Sequence, residues 1–248
     1  MAHTPLTRII DGADTAVVLI HGILGTPDQF ASLLPLIPRN WSVDNLLLPG
    51  HGGSVQDFAR SSMNQWKAYV HRRVSALART HQRILLVGHS MGSLLAIHQA
   101  LHPATPIAGL FLMAVPLQPH LHPSTALRSL QAALVPQSSS PALQQVLAAT
   151  SIRTTRQLWQ YLGWVPRYME LFRQAREARQ EIRQLCIPCV AVQSGRDELV
   201  SARSSRYLQG LDHVQLLTLP QSGHFVYPPQ DLAALQKAFT AFCQRFQS

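Results

Sequence analysis

Six short runs of apolar residues recur along the chain, and most of them show no alternation with polar positions. Continuous apolar runs of this length are typical of strands that are buried on both faces of a parallel sheet. The runs cover residues 16–20, 43–48, 84–87, 107–113, 189–193 and 214–219. Segments with helical spacing lie between most of them, at residues 63–79, 90–101, 201–209 and 232–246. Alternating strands and helices predict an α/β fold with a doubly wound, mostly parallel sheet.

The alternation is interrupted once, between Met113 and Cys189, where we find no strand pattern. Helical spacing and breakers such as Pro136 and Pro166 instead predict a helical insertion, with helical segments at residues 125–134, 141–150, 154–162 and 167–185. Connections at the carboxyl ends of parallel strands overhang the ligand crevice, so we expect a lid. The predicted division is a core of residues 1–114, a lid of residues 115–186 and a second core part of residues 187–248.

Composition limits the class of protein. Apolar residues make up 46% of the chain and charged residues 13%, too apolar for disorder, while no apolar run is long enough for a bilayer span. The start of the chain has no signal-peptide pattern, so we expect a cytoplasmic protein. The formal charge of +9 comes from arginines spread along the chain, without the interleaved aromatics of a base-stacking surface. We therefore expect no nucleic-acid partner, and we keep transient contact with anionic lipid surfaces as an alternative.

The three cysteines are Cys186, Cys189 and Cys243. An odd count in a chain expected to be cytoplasmic argues against a disulfide framework. Cys186 and Cys189 have the C-x-x-C spacing of redox dithiols, but they lead into a strand and not into the helix N-terminus that would stabilise a thiolate. We expect buried structural cysteines and, without a second pair, no zinc site.

Gly88-His89-Ser90-Met91-Gly92 is a G-x-S-x-G sequence directly after one predicted strand and directly before a predicted helix. In this context a serine occupies a tight turn, and small neighbours let the strand and helix approach each other. The helix N-terminus also places a positive dipole end beside the serine. A serine that only caps the helix is the alternative. We predict that Ser90 is a nucleophile.

A serine nucleophile needs a base, and the base needs a carboxylate that orients it. Asp197 and His224 each follow a later predicted strand, on the same rim of the sheet as Ser90, and the order Ser, Asp, His is that of α/β hydrolases. We predict His224 as general base and Asp197 as its orienting acid. Glu198 is less suited because it is longer and comes second after the turn, and Asp212 lies before a strand, on the opposite rim.

Other histidines compete with His224. His21 and His51 lie on the correct rim, where packing or hydrogen bonding beneath the site is their expected role, and His89 cannot fold back onto the hydroxyl of its own neighbour. Two backbone N–H groups are also needed for the oxyanion of the tetrahedral intermediate. We predict the N–H of Met91, directly after the nucleophile, and the N–H of Ile23 in the loop after the first predicted strand.

Five short segments together resemble the carboxylesterase and monoacylglycerol lipase branch of the α/β hydrolases. They are His21-Gly22-Ile23-Leu24-Gly25, Leu48-Pro49-Gly50-His51-Gly52, Gly88-His89-Ser90-Met91-Gly92, Gly195-Arg196-Asp197 and Ser222-Gly223-His224. The resemblance implies an α/β-hydrolase fold with a helical lid inserted after the sixth strand of that fold. It also implies hydrolysis of small or medium acyl esters through an acyl-enzyme, with no metal or organic cofactor.

The same residues leave other functions open. A thioesterase, peptidase or carbon–carbon hydrolase would use the same triad, because the triad does not fix the leaving group. An aspartate-nucleophile dehalogenase or epoxide hydrolase is disfavoured, since the turn holds Ser90. A catalytically silent ligand-binding receptor that retains the triad is the alternative from a different class. The predicted partner is a small-molecule acyl ester substrate.

Overall fold

The computed structural model describes residues 5–101, 107–119, 151–153, 155 and 157–247. Its seven-stranded sheet has the order β1-β3-β2-β4-β5-β6-β7. The strands are β1 Leu6–Arg8, β2 Thr15–Ile20, β3 Ser42–Leu46, β4 Arg83–His89, β5 Ile107–Met113, β6 Cys189–Ser194 and β7 Val214–Leu219. All neighbouring pairs are parallel except β1 with β3. The predicted sheet is confirmed, with β1 as an antiparallel edge strand that the apolar pattern did not indicate because its residues are exposed.

Five α-helices lie in the described part of the chain. They are α1 Val55–Arg60, α2 Met63–Leu77, α3 Met91–Leu101, α4 Val165–Glu181 and α5 Pro229–Gln244. The helix predicted at residues 201–209 is instead the 3₁₀ helix Ala202–Tyr207, in which the Ser201 side chain caps the first turn. The prediction missed α1, although Ser54 and Asp57 form the capping box that marks its start.

Apolar side chains cover both faces of the sheet, as a parallel sheet requires. On one face, Phe58 and Trp66 pack with residues of α2, α3 and α4. On the other face, Phe111 of β5 contacts Phe239 and Phe242 of α5. The carboxyl ends of β4, β6 and β7 therefore meet at one rim, supported from both sides.

The insertion follows β5, the fifth strand of the structure. Of its predicted helical segments, residues 125–134 and 141–150 lie outside the described residues. Residues 158–164 form a 3₁₀ helix, not the α-helix predicted at 154–162. Pro166 does not separate two segments as predicted, because it lies in the first turn of α4, where a missing N–H costs no hydrogen bond.

The start of α4 is fixed to the core. The Trp164 indole N–H donates to the Val55 carbonyl oxygen (3.1 Å), and the Glu170 carboxylate accepts the Met63 N–H at the start of α2 (2.9 Å). Trp159 and Leu162, in the 3₁₀ helix before α4, are 64% and 72% exposed.

Candidate active site

Ser90 lies on a strained turn between β4 and α3. Its φ is +53°, in the left-handed region that costs a non-glycine residue about 1–2 kcal/mol, and its N–H donates to the Met113 carbonyl oxygen (2.9 Å). A Cβ at Gly92 would overlap the Ile20 carbonyl oxygen, and a Cβ at Gly88 would lie 2.6 Å from the Ser93 Cα. The two glycines therefore allow the close strand–helix approach that the sequence predicts.

The structure brings Asp197 and His224 together, as predicted. The Nδ1 of His224 lies 3.0 Å and 2.9 Å from the two carboxylate oxygens of Asp197, and both side chains are 2% exposed. Oδ1 of Asp197 also accepts the N–H groups of Leu199 (2.9 Å) and Val200 (2.8 Å). Burial raises the pKa of the Asp197 carboxyl, but His224 and these two N–H groups outweigh burial, so the net pKa lies below its ordinary value.

Two carboxylates, whose contacts the sequence did not predict, accept hydrogen bonds from the loop that carries His224. Glu198 Oε2 accepts the backbone N–H of His224 (3.1 Å). Asp231 Oδ2 accepts the hydroxyl of Ser222 (2.7 Å) and the N–H of Gln221 (2.8 Å). Glu198 thus contacts the backbone of His224 and not its ring, which separates its role from that of Asp197.

His89, which directly precedes Ser90, is hydrogen-bonded to the backbone of His224. Its Nε2–H donates to the His224 carbonyl oxygen (3.1 Å), and the two rings lie 5.0 Å apart. Burial and, after it, the neighbouring His224 lower the pKa of His89 to about 3. A carbonyl oxygen only accepts, so Nδ1 carries no proton in the neutral ring, and it is buried without a hydrogen-bond partner among the described residues.

In the loop after β2, residues 21–25, the carbonyl oxygen of Gly22 accepts two hydrogen bonds. Gly22 O accepts the Nδ1–H of His21 (2.8 Å) and the N–H of Gly25 (3.0 Å). The carbonyl of Gly22 and the N–H of Ile23 belong to one planar trans peptide, so fixing the carbonyl also fixes the opposite direction of the N–H. In the described part of the chain we find no acceptor for the N–H of Ile23 or of Met91. Neither predicted oxyanion donor is thus occupied by a described residue.

His21 and His51 are hydrogen-bonded beneath this loop, which is the role expected for them. His21 Nε2 accepts the Leu48 N–H (3.0 Å), and His51 Nε2 accepts the Leu24 N–H (3.2 Å). Burial lowers the pKa of His51 well below its ordinary value, and the neighbouring His21 lowers it further. Both rings therefore act as acceptors at Nε2, which requires them to be neutral.

The remaining side chains do not indicate another chemistry. Among the described residues, no group of three or more histidine, cysteine, aspartate or glutamate side chains could hold a metal ion. Cys189 and Cys243 are buried free thiols, but Cys186 is exposed, so the prediction of burial is wrong for Cys186, which lies in the turn before β6. No helix in the described ranges is both long and apolar enough to cross a membrane.

The fold and the serine turn define the class of protein. A family model described as the alpha/beta hydrolase family matches residues 17–235. The chain belongs to this family. The matched range includes Ser90, Asp197 and His224 as well as the inserted lid.

Two individual proteins match the chain at low sequence identity. A thermostable monoacylglycerol lipase from Bacillus sp. (strain H-257) is 30% identical over 93 residues, which are 37% of this chain and 37% of that protein. A dihydrolipoyllysine-residue acetyltransferase component of the acetoin cleaving system of Pseudomonas putida is 26% identical over 233 residues, 86% of this chain and 59% of that protein. The chain thus spans less than two thirds of either relative.

Among solved structures, a monoacylglycerol lipase from Paleococcus ferrophilus superimposes with a TM-score of 0.69. The sequence identity is 17%, and the superposition covers 97% of each chain. At this identity the likeness establishes the fold and no substrate.

Proposed function

We propose that the protein is a serine hydrolase that cleaves carboxylic esters of small or medium acyl chains through an acyl-enzyme on Ser90. The observation that carries the proposal is the contact of both Asp197 carboxylate oxygens with His224 Nδ1, on the rim where Ser90 sits at a left-handed turn. This contact keeps the proton on Nδ1 and leaves Nε2 as a base.

In the proposed reaction, His224 Nε2 takes the proton of the Ser90 hydroxyl while Oγ attacks the ester carbonyl carbon. The N–H groups of Ile23 and Met91 donate to the oxyanion that forms. The tetrahedral intermediate collapses, the carbon–oxygen bond to the alcohol breaks, and His224 returns its proton to the alcohol. Water then attacks the acyl-enzyme with the same base, releasing the acid and free Ser90. No step requires a metal or an organic cofactor.

We propose monoacylglycerols or similar medium-chain esters as substrates. Two of the relatives are monoacylglycerol lipases by name. Trp159, Leu162 and Met169 are exposed apolar side chains of the insertion, and we propose that they contact the acyl chain. Arg173 and Arg176 are exposed on α4, so transient contact with anionic lipid surfaces is part of the proposal. The expected lack of a nucleic-acid partner and the cytoplasmic location stay predictions.

Turnover of p-nitrophenyl esters from acetate to palmitate tests the proposal. We expect the highest kcat/KM at short or medium chain length, and lower values for a matched thioester and anilide series. Activity on the anilides above that on the esters would point to a peptidase instead. A folded protein that hydrolyses none of the series and is not labelled by a fluorophosphonate would favour the silent receptor.

A further inference from the structure

Within the insertion, residues 151–153, which we call the return segment, are hydrogen-bonded to the core. The N–H and the hydroxyl of Ser151 both donate to the carbonyl oxygen of Leu24, at 2.8 Å and 3.3 Å. Arg153 donates its N–H to the Gly53 carbonyl oxygen (2.9 Å). Ser151 and Ile152 are buried. The return segment is therefore bonded to two loops of the core and lies against the loop after β2.

Leu24 is held from both sides by groups that are distant in sequence. Its N–H donates to His51 Nε2 (3.2 Å), and its carbonyl accepts from Ser151. Its φ is +57°, a left-handed conformation that favours glycine over leucine. A leucine released from these bonds would relax towards negative φ, and the peptide between Ile23 and Leu24 would rotate.

Ile23 directly precedes Leu24, and its N–H is one of the two proposed oxyanion donors. The turn from Gly22 to Gly25 contains both residues and is closed by the hydrogen bond from Gly25 N–H to Gly22 O. Rotation at Leu24 would strain this closure, which is one of the two hydrogen bonds that hold the Gly22 carbonyl and so orient the Ile23 N–H. The direction of the donor thus depends on the bonds that hold Leu24.

The second partner of Leu24 is also connected to the insertion. Trp164, directly before α4, packs edge-on against Phe58 with ring centroids 5.1 Å apart. Phe58 packs in turn against His51, at 5.3 Å. The insertion therefore reaches Leu24 by two routes. Ser151 bonds its carbonyl directly, and Trp164 contacts His51, the partner of its N–H, through Phe58.

We propose that Ser151 is a positioning residue of the oxyanion hole, holding Leu24 so that the Ile23 N–H points at the developing oxyanion. The return segment must then keep its hydrogen bonds to Leu24 and Gly53 during the chemical step. This inference rests on the proposed function, because it assigns Ile23 a role in ester hydrolysis.

The experiment compares Ser151→Ala and Ser151→Thr with the parent. We expect Ser151→Ala to lower kcat roughly 3- to 30-fold with KM within twofold, because a displaced donor costs less than the 10²–10³ of a deleted one. The affinity for an acyl trifluoromethyl ketone, whose adduct carries the oxyanion, should fall by the same factor. Ser151→Thr should restore both. The control is Thr80→Val, which removes a 3.3 Å hydroxyl-to-carbonyl bond and a 3.0 Å contact with His81 Nδ1 at the opposite rim, and should change neither.

Amide hydrogen exchange at Leu24 gives a readout that needs no substrate. We expect exchange at least tenfold faster in Ser151→Ala than in the parent, and unchanged exchange in Thr80→Val. If Ser151→Ala does not fold, Ile152→Ala loosens the same segment and takes its place. Parent-like kcat, ketone affinity and exchange in a folded variant, or a loss confined to KM, would overturn the inference. A parent that hydrolyses no ester would refute the proposed function alone, and exchange would still decide the role of Ser151.

Discussion

Replacing Asp197 by asparagine tests the role of the carboxylate without changing its shape. In the protein, Oδ1 of Asp197 accepts the N–H groups of Leu199 and Val200, and these groups can only donate. The single oxygen of an asparagine would therefore stay with them, and its NH₂ would face His224 Nδ1. We expect the imidazole to accept from this NH₂ and to carry its proton on Nε2, where it could no longer take the proton of Ser90.

The expected loss in kcat is about 10³- to 10⁴-fold, or about 4–5.5 kcal/mol at 25 °C, because the wrong tautomer removes the base while the rest of the site remains. The matched control is Glu198→Gln, which keeps an oxygen for the backbone N–H of His224. Its loss should stay below about tenfold. The assay is kcat on a p-nitrophenyl ester, normalised to folded protein by circular dichroism. Equal losses in the two variants, or Asp197→Asn within tenfold of the parent, would refute the assignment.

Three further outcomes follow from the structure. Gly92→Ala should destabilise the fold by about 3 kcal/mol or more in denaturant unfolding, because its Cβ overlaps the Ile20 carbonyl oxygen; parent-like stability would contradict this packing. The pKa of His89 is lowered to about 3, so its neutral form contributes stability that is complete above about pH 6.5 and lost as pH falls towards 3. His89→Leu should reduce this slope by about one proton, and an unchanged slope would count against a buried neutral ring. Turnover should persist in EDTA, and loss on chelation with recovery in zinc or manganese would overturn the proposed chemistry.

The sheet and the serine turn could be predicted because their sequence patterns are local. Apolar runs determine burial on both faces, and glycines on either side of Ser90 are needed wherever a strand and helix approach this closely. The meeting of Asp197 and His224 follows from the rule that parallel strands end at one rim. The strand β1 and the helix α1 were not predicted, because three exposed residues and six residues are too few to show a periodic pattern of apolar positions.

The contacts that shape the oxyanion loop could not be predicted, since they join residues far apart in sequence. Ser151 and Leu24 are 127 positions apart, and no periodic pattern links a serine to a particular carbonyl oxygen. Glu170 accepts the N–H of Met63 across 107 positions for the same reason. Cys186 lies three residues before β6, outside the strand, so the apolar pattern of the strand does not determine its exposure.

The central claim is that Ser90 is the nucleophile, and one measurement tests it most directly. Parent protein and Ser90→Ala are incubated with a fluorophosphonate, and intact-mass and peptide mass spectrometry locate the adduct. The account predicts one adduct per parent chain, on the peptide containing Ser90, and none on Ser90→Ala, whose ester turnover falls by several orders of magnitude. An adduct on another residue, or parent-like turnover by a folded Ser90→Ala variant, would contradict it.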